Sequence, residues 1–245
     1  ALGMNFVIAT GGIDLSQGSN VCLTGIIMAI CLKANFSVWS AIVIGILVAA
    51  FLGIFNGLII EKIKITPFIV TLGTSSLYRG LAIIITGGMP IYSFPTAFTF
   101  WGKGESTQLN PPIIIACIVL ILAVFLMHKT KWGQYSMAIG GNEEALRRVG
   151  VNVGFYKVSY YLASALMAGL AGLIITARLN AAEPTAGMGM ELDAVTAVVM
   201  GGSLMRGGKA NISGTFIACL LLGVIKNGLV ILSISSYYQQ FIIGF

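Results

Sequence analysis

The sequence predicts an all-α fold, a polytopic bundle of transmembrane helices that contains inverted internal repeats. The first observation behind this prediction is composition, because 57% of the residues are hydrophobic and only 9% are charged, whereas about half of a soluble domain is apolar. The second is a series of charge-free runs, several of them close to the roughly 20 residues that cross about 30 Å of hydrocarbon as a helix. The third is a similarity between two parts of the chain. None of the runs alternates in polarity, which excludes a transmembrane barrel.

Seven spans are predicted along the chain, with a shorter apolar fragment at each end. The predicted spans cover residues 18–32, 40–61, 66–86, 112–128, 156–177, 190–205 and 211–232. The end fragments, "ALGMNFVIAT" and "YYQQFIIGF", are each too short to cross a bilayer, and we expect them to be parts of spans that are cut. Residues 87–112 hold four of the six prolines, which predicts an external excursion in place of a helix.

Basic residues orient the chain. Alternating the spans places nine Lys and Arg residues on one side of the membrane and three on the other, and an excess of positive charge marks the cytoplasmic side. The nine are Lys62, Lys64, Lys129, Lys131, Arg147, Arg148, Lys157, Arg206 and Lys209, and the three are Lys33, Lys103 and Arg178. The net charge of +6 is spread over loops, without the basic face of a nucleic-acid-binding protein. We therefore expect no nucleic-acid partner.

Two stretches of the chain resemble each other. Residues 33–37 read "KANFS" and residues 209–213 read "KANIS", and each is followed at the far end of the next span by "NGL". An acid, Asp14 or Asp193, precedes each copy. The predicted orientation puts Lys33 outside and Lys209 inside, so the copies are inverted, an arrangement typical of transporters. The alternative is chance similarity between apolar helices built from few residue types.

This similarity predicts the domain organisation. We expect a single transmembrane permease domain over residues 1–245, with repeat one at about 1–90 and repeat two at about 156–245. A cytoplasmic segment at about 128–157 lies between them.

The charged string "GGNEEALRR" in that segment predicts a helix of about two turns. Asn142 is placed as an N-cap, the acids that follow suit the helix start, and Gly150 suits the stop. An isolated helix this short is marginal in water, so it either lies against the protein's own cytoplasmic face or docks on another subunit. Its residues are Gly141, Asn142, Glu143, Glu144, Ala145, Leu146, Arg147, Arg148, Val149 and Gly150.

Five motifs, in this order, resemble the membrane subunits of bacterial sugar-importing ABC transporters, the ribose, xylose, arabinose and autoinducer-2 permease family. They are "GGIDLSQGS" (11–19), "TPFIVTLGTSSLYRGLAIIITGGMPI" (66–91), "GGNEEALRRVGVNV" (140–153), "ARLNAAEPTAGMGMELDAVTAVVMGGSLMRGGKANISGT" (177–215) and "SSYYQ" (235–239). The resemblance covers nearly the whole chain.

The resemblance implies a permease of about ten spans in the bacterial cytoplasmic (inner) membrane, with sequence beyond both ends of this chain. It also implies three kinds of partner: an ATP-binding cassette subunit that binds ATP and Mg²⁺, a second permease copy or paralogue, and a periplasmic sugar-binding protein. Residues 141–151 look like the family's coupling helix, which docks on the ATPase.

Polar residues inside or beside spans are costly in a membrane and need partners or a water-lined cavity. Asp14 and Asp193 are predicted to lie at helix starts after Gly-rich breaks, either as N-caps or lining the sugar path. Arg79 is expected either to pair with one of the acids or to contact sugar hydroxyls. The two amides of the repeated "NGL" are expected to tie helices together. The candidates for the translocation path or for the starts of re-entrant helices are Asp14, Asn56, Arg79, Glu191, Asp193 and Asn227.

The sequence argues against an enzyme. Its closest string to a phosphate-binding loop, "GGKANIS", lacks the hydroxyl after Lys209, so ATP is not expected to bind to this chain. His128 is the one histidine, and neither it nor the four cysteines has catalytic or metal-ligand spacing. No cofactor or metal is expected. The alternatives are a proton-coupled secondary transporter, with Asp14 and Asp193 as proton carriers, and, less favoured, a passive channel, which would need a repeated filter.

Overall fold

The computed structural model describes residues 1–104 and 110–234, which form ten helices and one two-stranded sheet. The helices are α1 (Leu2–Ala9), α2 (Gln17–Lys33), α3 (Val38–Ile63), α4 (Pro67–Thr86), α5 (Thr96–Lys103), α6 (Pro111–Lys129), α7 (Lys131–Arg148), α8 (Val153–Leu179), α9 (Met190–Met200) and α10 (Ile212–Ile231). The strands β1 (Ile91–Tyr92) and β2 (Ala181–Ala182) pair antiparallel, Ile91 opposite Ala182. The helical membrane-protein class is confirmed.

Five helices of the described residues are long and apolar enough to cross a membrane: α3, α4, α6, α8 and α10. They confirm the predicted spans at 40–61, 66–86, 112–128, 156–177 and 211–232. The span predicted at 18–32 corresponds to α2, an apolar helix of 17 residues. The length of the charge-free runs was sufficient here because hydrocarbon requires a continuous apolar helix of a minimum length.

The span predicted at 190–205 is wrong. Helix α9 ends at Met200 after 11 residues, about 16 Å at the usual rise per residue, and residues 201–211 then leave the helical conformation. Gly202, Gly207 and Gly208 in this stretch all have positive φ, a backbone conformation that glycine adopts without a Cβ penalty. Gly201 and Gly202 therefore end α9, and Gly207 and Gly208 turn the chain again before α10.

The excursion predicted at 87–112 contains β1 and α5 in its described part, and no spanning helix. Helix α5 packs at Gly102 against the backbone of Ala177 and Arg178, at the end of α8. Residues 105–109, the "SSYYQ" motif and the closing fragment lie outside the described residues.

Helix α8 is the centre of the bundle and packs on α3 through small residues. A Cβ atom added to Gly53 would lie 2.6 Å from the Cβ of Ala165, and one added to Gly57 would lie 2.7 Å from the Cα of Val158. The absence of side chains lets the two backbones approach closely, as between packed helices in membranes. Since the later residue of α3 meets the earlier residue of α8, the two helices are antiparallel.

Lys33 and Lys209 lie at opposite ends of the bundle. Lys33 Nζ donates to the carbonyl of Ser93, whose amide donates to the carbonyl of Asn180, just after α8. The residue before Lys209, Gly208, packs beside α7, which precedes α8. We call the end that carries α7 the inner end. Opposite placement is what an inverted repeat requires, and the repeat boundaries at 1–90 and 156–245 stay a prediction.

Candidate functional site

The first helix break lies between the end of α1 and the start of α2. Asp14 lies in this break and is only 2% exposed. Its Oδ1 accepts hydrogen bonds from the amide of Ser16 (3.1 Å) and from the Ser16 hydroxyl (2.6 Å), and its Oδ2 accepts from the Ser164 hydroxyl (2.6 Å). Gln17 Nε2 in turn donates to Ser164 Oγ at 2.7 Å. Asp14 thus lies before α2, as predicted. It does not cap the first turn of α2 itself, but it binds the N-cap residue Ser16 and links it to Ser164 of α8.

The predicted equivalence of Asn56 and Asn227 does not extend to their surroundings. Asn56 is buried, its Nδ2 donates to Ser16 Oγ (2.8 Å), and its Oδ1 accepts from the Tyr78 hydroxyl (3.0 Å). It therefore ties α3 to the first break and to α4, a structural role in agreement with the sequence prediction. Asn227 is exposed on α10.

The second broken helix is α9 with the segment that leads into it. Arg79 of α4 donates from one terminal nitrogen to the carbonyls of Pro184 (2.9 Å) and Ala186 (2.6 Å). The sequence analysis predicted a carboxylate partner or sugar hydroxyls for Arg79 and did not include this contact with main-chain carbonyls. Among the described residues, Arg79 forms no ion pair with Asp14 or Asp193. Arg79 thus adds two side-chain bonds to a segment whose own main-chain bonds are turns, from the Ala186 amide to the Glu183 carbonyl and from the Met188 amide to the Thr185 carbonyl.

Glu191 and Asp193 both lie in the first turn of α9, as predicted, but they bond differently. Glu191 Oε1 accepts from the amide of Gly189 at 3.3 Å. Asp193 forms an ion pair with Lys226 of α10, so it links the broken helix to its neighbour. A cavity of about 400 Å³ is lined by Asp193, Lys226 and Gln17 together with apolar residues of α1, α8 and α9. The structure thus brings polar groups of both breaks to one cavity.

The segment predicted at about 128–157 contains the short helix that the sequence predicts, and we keep the name coupling helix for residues 142–150 after the resemblance. Asn142 interrupts α7 with non-helical φ −158° and ψ 94°, and its Oδ1 accepts from the amide of Ala145 at 3.0 Å, as an N-cap does. At the other end Gly150 has φ +83°, its amide donates to Arg147, and the Val151 amide donates to Leu146. This pair of bonds is a Schellman stop. The helix predicted between Asn142 and Gly150 is confirmed.

One face of this helix is held against the protein's own inner end. Glu143 accepts from Arg147 (2.8 Å) and from Lys157 of α8 (2.5 Å), and Arg147 also reaches Glu61 of α3 at 3.1 Å. Leu146 belongs to the apolar cluster beneath. The first alternative left open by the sequence, that the helix lies on its own protein, is therefore correct for this face.

The opposite face is exposed. Glu144 and Arg148 pair with each other at 2.6 Å, but their side chains remain 73% and 76% exposed. Val149 is an exposed apolar side chain beside them. Within the helix, Glu144, Ala145, Arg148 and Val149 are exposed at three- and four-residue spacing, which places them on one side. Arg147 is exposed as well, but its guanidinium is paired with Glu143 and Glu61. We call the side that carries Glu144 and Arg148 the outer face of the coupling helix.

The charge of Glu143 is secure at neutral pH. Burial by itself would raise the pKa of Glu143, but hydrogen bonds from Lys157 and Arg147 outweigh burial and lower that pKa below its ordinary value. A carboxylate with a lowered folded-state pKa contributes stability that is complete above the ordinary range and is lost as the pH falls through the lowered value. The attachment of the helix to α8 is thus intact under physiological conditions.

Replacing Asn142 by Ala is expected to destabilise the coupling helix by about 1 kcal/mol, the usual cost of a lost N-cap. Hydrogen exchange at the Ala145 amide, whose partner is removed, should then be about fivefold faster. Asn142→Ser is the matched control, since serine keeps an accepting oxygen at the cap. Equal exchange in the Ala and Ser variants would show that the side-chain bond does not hold the helix.

Several residues of these sites were missed by sequence reasoning. Ser16, Ser164, Gln17 and Tyr78 complete the networks around Asp14 and Asn56, and Glu61 completes the anchor of Arg147. Ser16, Gln17 and Tyr78 lie inside two of the motifs quoted above, but polar residues within apolar helices are common packing residues in membranes, so the sequence does not show their partners. Only Glu61, an acid beside a cluster of lysines at the inner end of a span, had a visible signal.

Long apolar helices, two broken helices with buried polar groups and a capped polar helix at the inner end define a multi-pass membrane transport protein. The family described as "Branched-chain amino acid transport system / permease component" matches residues 1–245, and the chain belongs to this family. It is a non-catalytic transport permease, and its five apolar helices of spanning length fit the predicted place in the bacterial inner membrane.

Among curated proteins, the chain is similar to sugar permeases. It is 42% identical to the ribose import permease protein RbsC of Bacillus subtilis, over 100% of this chain and 76% of the relative. It is 41% identical to RbsC of Escherichia coli K12, over 99% of this chain and 77% of the relative. It is 36% identical to the D-allose transport system permease protein AlsC of E. coli K12, over 99% and 75%. No solved structure matches the chain significantly. The resemblance to sugar-importing permeases is confirmed.

Proposed function

We propose that this chain is the membrane permease subunit of an ATP-driven importer of a small carbohydrate. A periplasmic sugar-binding protein delivers the sugar, two permeases form the path, and ATP-binding cassette subunits bind ATP and Mg²⁺ and hydrolyse the nucleotide. The observation that carries the proposal is the coupling helix, which is capped at both ends, anchored on one face and unpartnered on the other. A helix so short needs tertiary support, and an exposed, preformed face suits a second protein.

The substrate class rests on the relatives and on the charge balance of the cavity. The family description names amino acids, whereas the named relatives import ribose and allose. An amino acid carries an ammonium and a carboxylate, which need counter-charges in a membrane interior. The two charged side chains that line the cavity, Asp193 and Lys226, form an ion pair with each other. This balance favours a neutral substrate, and a sugar is one.

The coupling helix divides its charges between two tasks. Arg147 and Glu143 face inward and fix the helix to α3 and α8, so that it moves with the permease. Glu144 and Arg148 face outward with Val149 and supply polar and apolar contacts for the ATPase. Nucleotide-driven closure of the ATPases would displace the outer face, and the inner anchor would pass that displacement to the spans.

Arg148→Glu is expected to weaken assembly with the ATPase by about tenfold, the effect of losing 1–2 kcal/mol at an interface. The readout is co-purification of the ATPase with the full-length permease from membranes. This substitution also places two acids at i, i+4 and weakens the helix itself. The matched control is Glu144→Arg combined with Arg148→Glu, which restores the pair with its order reversed.

The control separates the two explanations. If the outer face contacts the ATPase, the exchanged pair assembles as poorly as the single variant. If the exchanged pair restores assembly, the charges act only on helix stability. Full assembly of both variants would contradict docking on this face. Uptake of labelled pentoses, hexoses and amino acids by the complete transporter tests the substrate class, and uptake of amino acids alone would overturn the sugar assignment.

A further inference from the structure

Three Gly–Gly pairs from distant parts of the chain meet at the inner end. Gly11–Gly12 follows α1, Gly140–Gly141 precedes the Asn142 cap, and Gly207–Gly208 lies between α9 and α10. The amide of Gly208 donates to the carbonyl of Ala9 at 3.0 Å, so the contact includes a main-chain hydrogen bond. We call this meeting of three backbones the glycine junction.

The junction has no room for a side chain at Gly140 or Gly207. A Cβ atom added to Gly140 would collide with the carbonyl oxygen of Ala9 and the amide nitrogen of Gly208, and would lie 2.8 Å from the Cα of Gly207. One added to Gly207 would lie 2.7 Å from the amide nitrogen of Gly11. Gly11 and Gly207 also have φ of +80° and +84°, which favours glycine. All the opposing atoms belong to main chain.

Each of the three backbones at the junction continues into a different element: the coupling helix, the first break or the second broken helix. Gly140 lies two residues before Asn142, where the coupling helix begins. Gly11 leads into the first break, which contains Asp14. Gly207 follows α9, the second broken helix, which contains Asp193. The junction is therefore the place where the coupling segment touches the inner ends of both breaks.

Main-chain contacts of this kind transmit displacement directly. A side chain at an interface can change rotamer and absorb a small movement, but packed backbone cannot, and protein interiors are close-packed. A shift of Gly140 toward the membrane must push on Ala9 and on Gly207, or break the hydrogen bond between Gly208 and Ala9.

We propose that the glycine junction transmits movement of the coupling helix to both broken helices at once, with Gly140 as the positioning residue. The proposal rests on the docking function proposed above and goes beyond it, since it assigns the route inside the permease. Because both breaks contact the same point, we expect the two predicted repeats to change conformation together.

The test is Gly140→Ala in the complete transporter, with permease, ATPase and binding protein in vesicles. The added methyl separates the three backbones, so we expect sugar uptake per ATP hydrolysed to fall about tenfold, within the range of coupling changes caused by residues along such networks. Co-purification of the ATPase should persist. The matched control is Gly73→Ala in α4, where an added Cβ meets nothing within 4 Å, and its uptake per ATP should equal that of the unmodified protein.

A second measurement needs no substitution at the junction. Hydrogen exchange is compared in the nucleotide-free and ATP-bound transporter, and we expect exchange in residues 9–16 and 201–208 to change together. This measurement decides the case if Gly140→Ala does not assemble. The proposal is overturned if an assembled Gly140→Ala variant keeps its uptake per ATP unchanged. It is also overturned if ATP binding changes hydrogen exchange in only one of the segments 9–16 and 201–208. Loss of ATPase assembly in the outer-face variants is independent of these results, so failure of the junction and failure of the docking proposal are distinguishable.

Discussion

Replacing Asp14 by Leu is expected to abolish uptake by preventing the first broken helix from forming. The carboxylate accepts three hydrogen bonds in a buried site, and leucine leaves those donors without partners. Each unsatisfied buried group costs about 1–3 kcal/mol, which is large against a typical total stability of about 5–15 kcal/mol. The measurement is the amount of folded permease purified from membranes, followed by ATP-driven uptake in vesicles.

Asp14→Asn is the matched control and also tests the proton-carrier alternative. Its carbonyl oxygen can accept from Ser16, and its amide can donate to the Ser164 hydroxyl, which accepts more than one hydrogen bond. We therefore expect this variant to fold and to retain uptake. Asparagine cannot carry a proton, so a folded variant without uptake would contradict a structural role. Uptake that persists after collapse of a proton gradient would argue separately against a secondary transporter.

Replacing Arg79 by Ala is expected to release the segment that leads into α9. The Ala186 carbonyl loses the Arg79 donor, and the Pro184 carbonyl keeps only the weak donor of the Cys22 thiol, at about 1–3 kcal/mol for a group left unsatisfied. We expect a lower unfolding temperature and faster hydrogen exchange in residues 183–189, together with reduced uptake. Arg79→Lys keeps the charge but not the planar set of donors, so its loss should be smaller.

Arg178→Ala is the comparison for Arg79, since Arg178 is an exposed arginine at the end of α8. Its removal should leave both unfolding and uptake unchanged. If Arg79→Ala unfolds like the unmodified protein but needs a higher sugar concentration for half-maximal uptake, then Arg79 contacts substrate and the assignment to backbone is wrong.

The coupling helix shows which features can be predicted from local sequence and which cannot. Its N-cap bond joins residues three apart, and its stop joins residues up to five apart, so residues 142–151 contain all the groups that define it. Its inward anchor was not predictable, because Glu61 is 86 positions from Arg147. The same limit explains the error at 190–205, where hydropathy indicated a span but the Gly–Gly pairs at 201 and 207 allowed the chain to turn toward α1.

By itself, the sequence determined that the protein is a helical membrane transporter, where most of its spans lie, which end is basic, and where the coupling helix begins and ends. These properties follow from hydrocarbon thickness, charge and capping, all of which act over a single helix or less. The tertiary structure alone decided that Asp14 bonds to Ser164, that Arg79 holds the carbonyls of Pro184 and Ala186, and that three glycine pairs meet at one point. Those contacts join residues roughly 70 to 200 positions apart, and a partner at that distance is chosen by how the helices pack.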